Sequence, residues 1–352
     1  MLTAAIVGAI ATAALALPAG AAGAGPCSKY ASGSGSDSDP GSQTQPFRST
    51  QKLADSLGAG EVGCLRAGSY DGADLRQGGE PGAPITLRSY PGERATVTGR
   101  FWVARTAPHV VVQGLYLNGK NETNHPSPTI SATDVTFRNN DVTNDHTGIC
   151  FLLGSEDWGR ADGAVIEKNR VHDCGRLPAK GFDHGIYVEA ATGARVEGNW
   201  FYDNADFGVH LYPNADHTVV RGNVIDGNGK GVTIGGDEGQ ASDDNRVEGN
   251  VISNSTRRFN VESWWPDGNP APQGNAVNRN CLKAGNVDWY HNGGVDKEST
   301  DGISMSGNET VSDTGFESSR GKDFRLSADS PCRKLFAGDP SAVAGPDNAY
   351  LD

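Results

Sequence analysis

Basic residues are in short supply in this sequence. Its 30 lysines and arginines are outnumbered by 43 aspartates and glutamates, which gives a formal net charge of −13. Nucleic acids are polyanions that bind to basic protein faces, so the composition excludes nucleic acid as the expected partner. The negative charge would also repel an acidic polysaccharide, unless local lysines, arginines or a bridging cation offset it.

Long hydrophobic runs are absent beyond residue 24. The first 24 residues contain no charged side chain, and an apolar run extends from Leu2 to Leu17. This pattern predicts a signal peptide over residues 1–24; a membrane anchor is the alternative, because no lysine or arginine precedes the run. No later segment is long and apolar enough to span a bilayer. We therefore expect a secreted, extracellular monomer that has no membrane partner after processing.

Motifs of several enzyme classes are also missing. The sequence has no phosphate-binding loop, dinucleotide fingerprint, zinc-binding helix or Gly-x-Ser-x-Gly elbow. Its six cysteines form no CxxC pair, which argues against a cysteine zinc site. An even number of cysteines in an exported chain instead predicts disulfide bonds.

The sequence does contain one short pattern in six copies. Each copy has an apolar residue, two variable residues, an asparagine, one further residue and an apolar residue, and the asparagines are 24 to 30 residues apart. The copies are Phe137–Asn140–Val142, Ile166–Asn169–Val171, Val196–Asn199–Phe201, Val220–Asn223–Ile225, Val247–Asn250–Ile252 and Val277–Asn280–Leu282. A related stretch, Val112–Leu117, places Leu115 where the asparagine would be. Short alternating strands repeated at this period predict one coil of a parallel β-helix per copy.

The repeated asparagines have a structural explanation. Asparagine tolerates the left-handed conformation of a sharp bend, and its amide satisfies backbone groups of the turn. Amides that stack along the helix axis also hydrogen-bond to one another. We therefore assign the asparagines to the scaffold and not to the functional site. A hydrophobic fraction of only 36% agrees with a core that is one side chain deep.

The predicted fold class is all-β, a single-stranded parallel β-helix solenoid of about nine or ten coils. Residues 25–62 are expected to form a loop and an N-terminal capping helix, with helical spacing from Pro46 to Leu57. Residues 63–300 form the β-helix, and residues 301–352 form a C-terminal cap and an irregular tail. Because only neighbouring coils of a solenoid touch, the favoured disulfides are Cys27–Cys64, Cys150–Cys174 and Cys281–Cys332.

Motifs at both ends of the chain carry a family resemblance. They are Gly35-Ser-Asp-Ser-Asp-Pro-Gly41 followed by Pro46-Phe-Arg48, and Asp323-Phe-Arg-Leu326 followed by Ser330-Pro331. With the asparagine-containing coils, they resemble secreted bacterial right-handed parallel β-helix proteins of the pectin-lyase-like superfamily. The resemblance implies a right-handed coil and a polysaccharide partner, since known relatives mostly act on acidic polysaccharides. It selects no reaction, because the superfamily includes lyases, hydrolases, epimerases and non-catalytic proteins.

A second row of strands has the pattern glycine, apolar, variable, apolar. Side chains alternate along a strand, so the residue after each glycine points inward and the next one outward. The predicted outward row is Cys150, Tyr187, His210, Thr233 and Glu262, and the row two residues further on is Leu152, Glu189, Tyr212, Gly235 and Trp264. Neighbouring coils are about 4.8 Å apart along the axis. We therefore expect the two outward rows to line a groove that runs along the axis and binds one sugar chain.

The first functional expectation for this groove is a lyase that cleaves uronate-containing glycans by β-elimination. The reaction needs a neutralised carboxylate, a base for the adjacent proton and an acid for the leaving oxygen. The resemblance implies calcium or a basic residue for the first task. By residue type, the candidates are Lys230 or Arg258 to neutralise, His184 or His210 as base, and Tyr187 or Tyr212 as acid.

Further candidates bind the substrate or a metal. Glu189, Arg258, Glu262 and Trp264 are the candidate substrate-binding residues. The carboxylates of Asp183 and Asp206 are of the type that coordinates Ca²⁺, which is the candidate cofactor.

Two other functions stay open. A glycoside hydrolase needs two carboxyl groups about 5–9.5 Å apart, and Asp183 and Asp206 lie on adjacent predicted coils. Of the motifs of polygalacturonase-like proteins, only Asp183-His184-Gly185 is represented. A non-catalytic carbohydrate-binding or cell-surface protein is the third function, with Trp264-Trp265 as a stacking surface.

The sharpest expectation concerns His210. An outward, partly hydrated histidine keeps a pKa near neutrality and can act as a base. His210→Ala is then expected to leave the fold intact and to lower turnover by about 10²-fold or more.

Overall fold

Each repeat of the sequence folds into one coil of three short strands, and the coils stack into a parallel β-helix. The computed structural model describes residues 25–283, 302–336 and 345–346, so the predicted signal peptide lies outside the described residues. Three parallel sheets, here called A, B and C in the order in which the chain visits them, run along the axis. No helix in the described ranges is long and apolar enough to cross a membrane.

Sheet A and sheet B meet at the asparagine bend of each coil. The described strands of sheet A are Lys29–Ala31, Val62–Leu65, Ile85–Ser89, Val110–Gln113, Thr136–Arg138, Val165–Glu167, Arg195–Glu197, Val219–Arg221, Arg246–Glu248, Asn275–Asn278 and Ile303–Ser306. Those of sheet B are Gly68–Asp71, Ala95–Thr98, Tyr116–Asn118, Asp141–Thr143, Arg170–His172, Trp200–Tyr202, Val224–Asp226, Val251–Ser253, Cys281–Lys283 and Glu309–Thr310.

Sheet C closes each coil, and its strands lengthen toward the middle of the molecule. Its strands are Asp74–Leu75, Trp102–Val103, Thr129–Ile130, Phe151–Leu153, His184–Thr192, Phe207–Asp216, Lys230–Asp237 and Val261–Trp264, with Gln240–Ala241 added as an antiparallel hairpin strand. The predicted solenoid is therefore confirmed. The β-helix extends beyond the expected range of residues 63–300 at both ends. At the N-terminal end Lys29–Ala31 pairs with Val62–Leu65, and at the C-terminal end Ile303–Ser306 pairs with Asn275–Asn278.

The predicted asparagine ladder is present along one line. The side-chain Oδ1 of Asn169 accepts from both the backbone N–H and the Nδ2 of Asn140, at 2.9 and 3.0 Å. The same pair of bonds recurs at each following step and extends to Asn308. Leu115, aligned with the asparagines, donates its N–H to Asn140 at 3.0 Å. Since the ladder asparagines from Asn140 to Asn280 are buried, these bonds satisfy amides that would otherwise destabilise the core.

A short helix, Thr50–Asp55, covers the N-terminal end of the β-helix. The hydroxyl of Ser49 accepts from the N–H of Lys52 at 3.1 Å, which caps the helix. Leu53 and Leu57 are buried against Gly63, where an added Cβ would approach Leu57 to 2.8 Å. The helix is shorter than the expected span from Pro46, because Phe47 instead forms a parallel bridge with Ala31.

The disulfides Cys27–Cys64, Cys150–Cys174 and Cys281–Cys332 form as predicted. The described part of the C-terminal segment contains regular structure. It contains the antiparallel pair Phe316–Ser318 and Asp323–Leu326 and the helix Pro331–Leu335. Phe324 is fully buried against Trp200 and Tyr202 of sheet B. This segment therefore packs along the side of the β-helix, and the disulfide from Cys281 holds it there.

Candidate functional site

The outward row predicted on sheet C is largely confirmed. Tyr187 pairs with His210, His210 with Thr233, and Thr233 with Glu262, each one coil apart. The inward neighbours Ile186, Val209, Val232 and Val261 are fully buried in the core. Alternation along each strand thus places the row on the outside, as the sequence pattern indicates.

The expected position of Cys150 is wrong by two residues. The partner of Tyr187 in the preceding coil is Leu152, because the buried Phe151 aligns with Ile186. Cys150 comes before the strand and is bonded to Cys174 inside the core. The outward row therefore continues from Tyr187 to Leu152, Thr129 and Trp102 in the earlier coils.

His184 and His210 are not hydrated, contrary to the expectation for a general base. Their exposed fractions are 3% and 7%, and His210 Nδ1 lies 3.3 Å from His184 Nε2. The ring of His210 stacks between those of Phe207, at 4.2 Å, and Tyr212, at 4.9 Å. Burial lowers the pKa of both imidazoles, and the charge of nearby Lys230 lowers both further. The two histidines are therefore neutral and lie packed among aromatic rings, below the solvent-exposed surface of sheet C.

Lys230 and Glu262 neutralise each other. Lys230 Nζ donates to Glu262 Oε1 at 2.9 Å and lies 4.3 Å from the centre of the Phe207 ring. Arg258 Nε is 3.3 Å from the other oxygen of Glu262, and Glu262 itself is 2% exposed. The two cations assigned to a substrate carboxylate therefore already share a protein carboxylate.

Asp183 and Asp206 also have protein partners. Arg176 contacts both oxygens of Asp183, at 2.7 and 2.8 Å. Burial would raise the pKa of Asp183, but the bonds from Arg176 hold it below its ordinary value. Asp206 accepts from Arg257 and from three backbone N–H groups of residues 181–183. These bonds organise the start of strand His184–Thr192, and the role of the two aspartates as calcium ligands stays a prediction.

A cleft opens beside these residues, at the carboxyl ends of the sheet C strands. Its volume is about 230 Å³. Its walls combine two tyrosines with carboxylates and amides, namely Glu156, Tyr187, Glu189, Tyr212, Pro213, Asn214, Asp237, Glu238 and Gln240. None of the described residues that line this cleft is a lysine, arginine or histidine. We call it the acidic cleft.

Two carboxyl groups in the acidic cleft have opposite electrostatic surroundings. Burial, together with the charges of Glu156 and Glu238, raises the pKa of Glu189 to about 7. The hydroxyl of Tyr212 donates to Asp237 and, with the N–H of Glu238, lowers the pKa of Asp237. Near neutral pH, Glu189 is therefore about half protonated, whereas Asp237 is ionised.

The local backbone explains how Tyr212 reaches Asp237. Tyr212 lies across Gly235 of the next coil, where an added Cβ would approach the ring to 2.8 Å. The strand then turns at Asp237 into the antiparallel partner Gln240–Ala241, which brings Asp237 and Glu238 back over the cleft. A glycine at position 235 is thus required by the close approach of the tyrosine.

Sequence reasoning found Tyr187, Glu189 and Tyr212 but missed Glu156, Asp237 and Glu238. Glu156 lies in the loop of residues 155–159, Asp237 is the last residue of the strand Lys230–Asp237, and Glu238 begins the turn that follows. The acidic pairs Glu156-Asp157 and Asp237-Glu238 directly after strand patterns were the available signal, because loops at strand ends often carry functional groups. Trp264, by contrast, was predicted; it is 43% exposed and lies 6.2 Å from Tyr212.

A second titratable cluster, which the sequence analysis also missed, lies outside sheet B. His172 bridges Asp141 and Asp173, with nitrogen–oxygen distances of 2.7 Å on both sides. Its ring stacks on Tyr202 at 4.8 Å. Burial alone would lower the pKa of His172, but the two carboxylates raise it to about 9. Every charge in this sheet B cluster therefore has a partner, including Asp141, which also faces Arg170 at 3.7 Å.

No group of three or more histidine, cysteine, aspartate or glutamate side chains is arranged to hold a metal ion within the described ranges. The calcium expectation stays a prediction.

The right-handed β-helix region family model matches residues 113–322. The chain belongs to this family. An uncharacterized protein of Bacillus subtilis (strain 168), YwoF, is 26% identical over 230 residues, which cover 62% of this chain and 46% of that relative. The chain thus matches about half the length of this curated relative. The match to the family confirms the right-handed parallel β-helix.

Solved structures agree on the fold. Pectate lyase Pel9A has a TM-score of 0.51 at 16% identity, covering 86% of this chain and 90% of that one. XylC in complex with xylose has a TM-score of 0.51 at 11% identity, covering 73% and 69%. At such identities the similarity establishes the shared β-helix fold alone.

Proposed function

We propose that the acidic cleft hydrolyses an uncharged glycan, with Glu189 as the general acid. The observation that carries this proposal is the pairing of Glu189, whose pKa is raised to about 7, with Asp237, whose pKa is lowered, in one cleft. Carboxyl groups whose surroundings separate their pKa values are the acid and base pair that glycoside cleavage needs.

The chemistry follows from the two protonation states. Glu189 gives its proton to the glycosidic oxygen as the bond to the anomeric carbon breaks. Asp237 then stabilises the positive charge of the sugar ring and takes the proton from the water that adds to the carbon. The backbones of the two residues are two coils apart, roughly 10 Å, and both side chains line the cleft. This spacing lets the carboxyl groups approach the range of about 5–9.5 Å used by glycosidases.

An uncharged substrate is favoured by the charge of the cleft. A uronate would meet Glu156, Asp237 and Glu238 without a described basic residue in the lining. Lys230 and Arg258, the expected neutralising groups, are paired with buried Glu262. The two basic residues expected to neutralise a uronate are thus already paired, and the two histidines expected as the base are buried.

The comparisons support the class of partner and the compartment. One similar fold holds xylose and another is a pectate lyase, which supports a carbohydrate as the partner of this chain. Three disulfides support an oxidising, extracellular compartment. The predicted signal peptide at residues 1–24 is part of this proposal.

The test is an activity panel on the purified protein. Xylan, galactomannan, β-glucan, polygalacturonate and alginate are incubated with and without calcium, and new reducing ends and ultraviolet absorbance are measured. Reducing ends without absorbance, released from an uncharged glycan, are expected. Unsaturated products from polygalacturonate or alginate would overturn the proposal in favour of the lyase, and no product from any glycan would favour a binding protein.

A matched pair of variants assigns the acid. Glu189→Gln is expected to lower turnover by about 10²–10⁴-fold, because the amide has no proton to give at this pH. Glu197→Gln, on the outer face of sheet A and paired with Arg195 at 3.3 Å, is the control and should retain activity. Equal activity of both variants would remove Glu189 from the mechanism.

A further inference from the structure

A second pocket lies on the same outer face, toward the earlier coils. Its volume is about 200 Å³, and it is lined by Arg100, Trp102, His125, Thr129 and Trp158. It shares no lining residue with the acidic cleft, and its two tryptophans and one arginine give it a different chemistry. We call it the tryptophan pocket.

The aromatic walls of the tryptophan pocket are held in place. The guanidinium of Arg100 lies 4.6 Å from the centre of the Trp102 ring, and Trp102 Nε1 donates to Ser131 Oγ at 3.0 Å. Trp158 packs edge-to-face against His125, with ring centres 6.2 Å apart, yet 42% of its surface stays exposed. An indole fixed at the surface and left open on one side presents apolar area that a ligand can cover.

The loop that carries Trp158 is held by hydrogen bonds. Ser155 and Gly159 exchange two backbone hydrogen bonds of 3.0 Å, and the N–H of Trp158 donates to Ser155 Oγ at 3.0 Å. Arg105 donates to the carbonyl of Asp157 at 3.2 Å. A ring fixed before binding loses little conformational freedom when a ligand stacks on it.

The same loop joins the two cavities. Glu156 lines the acidic cleft, where its carboxylate accepts from Asn214 at 3.1 Å, and Trp158 lines the tryptophan pocket two residues later. Trp102 and Tyr187 belong to one outward row, separated by Thr129 and Leu152. Three coil steps of about 4.8 Å place their backbones roughly 14 Å apart along the axis. One extended chain can therefore reach both cavities.

We infer that the tryptophan pocket is a second carbohydrate subsite, which binds a remote sugar ring of the same uncharged glycan that occupies the acidic cleft. The ligand class rests on the proposed function. The C–H face of a sugar ring is apolar and packs on an indole, while Arg100 and His125 supply donors for ring hydroxyls. The substrate is then an extended polymer, and the remote ring contributes to binding and not to the bond-breaking step.

The inference is tested by binding and kinetics on the full chain. Trp158→Ala is titrated with xylan, galactomannan and β-glucan in the Glu189→Gln background, where cleavage is expected to be at least about 10²-fold slower. Its affinity for the glycan that binds is expected to fall roughly tenfold, as the loss of one stacking contact predicts. In the otherwise native chain, Trp158→Ala should raise KM for long oligosaccharides of that glycan and leave kcat unchanged.

Phe182→Ala is the matched control, because Phe182 is a 72% exposed aromatic residue that lines neither cavity. It should change neither affinity nor KM. Polymer binding that is equal in Trp158→Ala and its parent would overturn the subsite and leave the proposed hydrolysis standing. Trp158-dependent binding without any cleavage would overturn the hydrolysis and leave the subsite standing. Absence of binding to all three polymers would overturn the subsite as well.

Discussion

Two outer faces of this β-helix carry tyrosines and titratable groups, and they differ in whether the charges are compensated. Outside sheet B, His172 lies between Asp141 and Asp173, and Arg170 faces Asp141. In the acidic cleft outside sheet C, Glu189 meets other carboxylates, and burial adds to their effect on its pKa. The sheet B cluster stabilises the charged forms of its histidine and aspartates, whereas the acidic cleft stabilises the protonated form of Glu189.

This difference separates a structural cluster from a site. Both clusters shift pKa values, so the shift alone would not distinguish them. In the sheet B cluster, each of these charged groups already faces an opposite charge. The acidic cleft keeps uncompensated carboxylates around open space, a locally unfavourable arrangement of the kind that proteins retain where function uses it.

The largest effect is expected from removing His172. Its folded pKa of about 9 lies above the ordinary 6.5, so its contribution is fully present below pH 6.5 and is lost as the pH rises through 9. His172→Gln should therefore lower the free energy of unfolding by about 2–3 kcal/mol at pH 6. The difference from the wild type should shrink toward pH 9.5, as measured by urea unfolding.

His217→Gln is the control for this prediction. His217 also faces a carboxylate, Asp244 at 3.7 Å, but both side chains are more than half exposed. Exposed pairs contribute less than about 1 kcal/mol, so this variant should differ little from the wild type at either pH. A His172→Gln difference that does not change with pH would contradict the assigned charge of the sheet B cluster.

An intermediate effect is expected at His210, beneath the cleft face. His210→Phe keeps an aromatic ring between Phe207 and Tyr212 but loses the contact with His184. The stability cost should be about 1–2 kcal/mol. His210→Ala should cost more than His210→Phe, because it also leaves a cavity; the untouched fold expected from the sequence assumed an exposed side chain, whereas His210 is 7% exposed. Urea unfolding measures both.

Activity separates the two roles of His210. If the ring only supports the cleft floor, His210→Phe should retain activity within about tenfold on the cognate glycan. A folded His210→Phe variant that loses about 10²-fold or more would restore the histidine as a proton-transfer group.

The smallest effect, with the opposite consequence for stability, is expected at Glu189. Its folded pKa of about 7 exceeds the ordinary 4.5, so the native protein becomes less stable as the pH rises from 4.5 through 7. Glu189→Gln should therefore match the wild type at pH 4.5 and be slightly more stable at pH 8. The gain should stay below about 1 kcal/mol because solvent reaches the cleft. Thermal unfolding at the two pH values measures it, and a less stable variant at pH 8 would contradict the assigned proton.

Much of the scaffold could be predicted because it is periodic. The ladder from Asn140 to Asn280 and the outward row Tyr187, His210 and Thr233 follow from spacing and alternation alone. Prediction failed at Cys150, because the sequence analysis aligned Gly148 with Gly185, which is two residues out of register. The packing of Phe324 on Trp200 was not predicted either, because no local pattern encodes a contact between the C-terminal segment and the side of the β-helix.

The sequence by itself determined the stacked parallel coils, the disulfide pairs and the face on which Tyr187, Glu189 and Tyr212 lie. Those features depend on local alternation and on contacts between adjacent copies of one pattern. Only the tertiary structure decided that His210 is dry, that Lys230 is already paired and that Asp237 returns to face Tyr212. The hydration and charge pairing of a side chain depend on side chains from neighbouring coils and on loops that do not repeat. They decide whether an outward-pointing residue is buried beneath the acidic cleft or lines it.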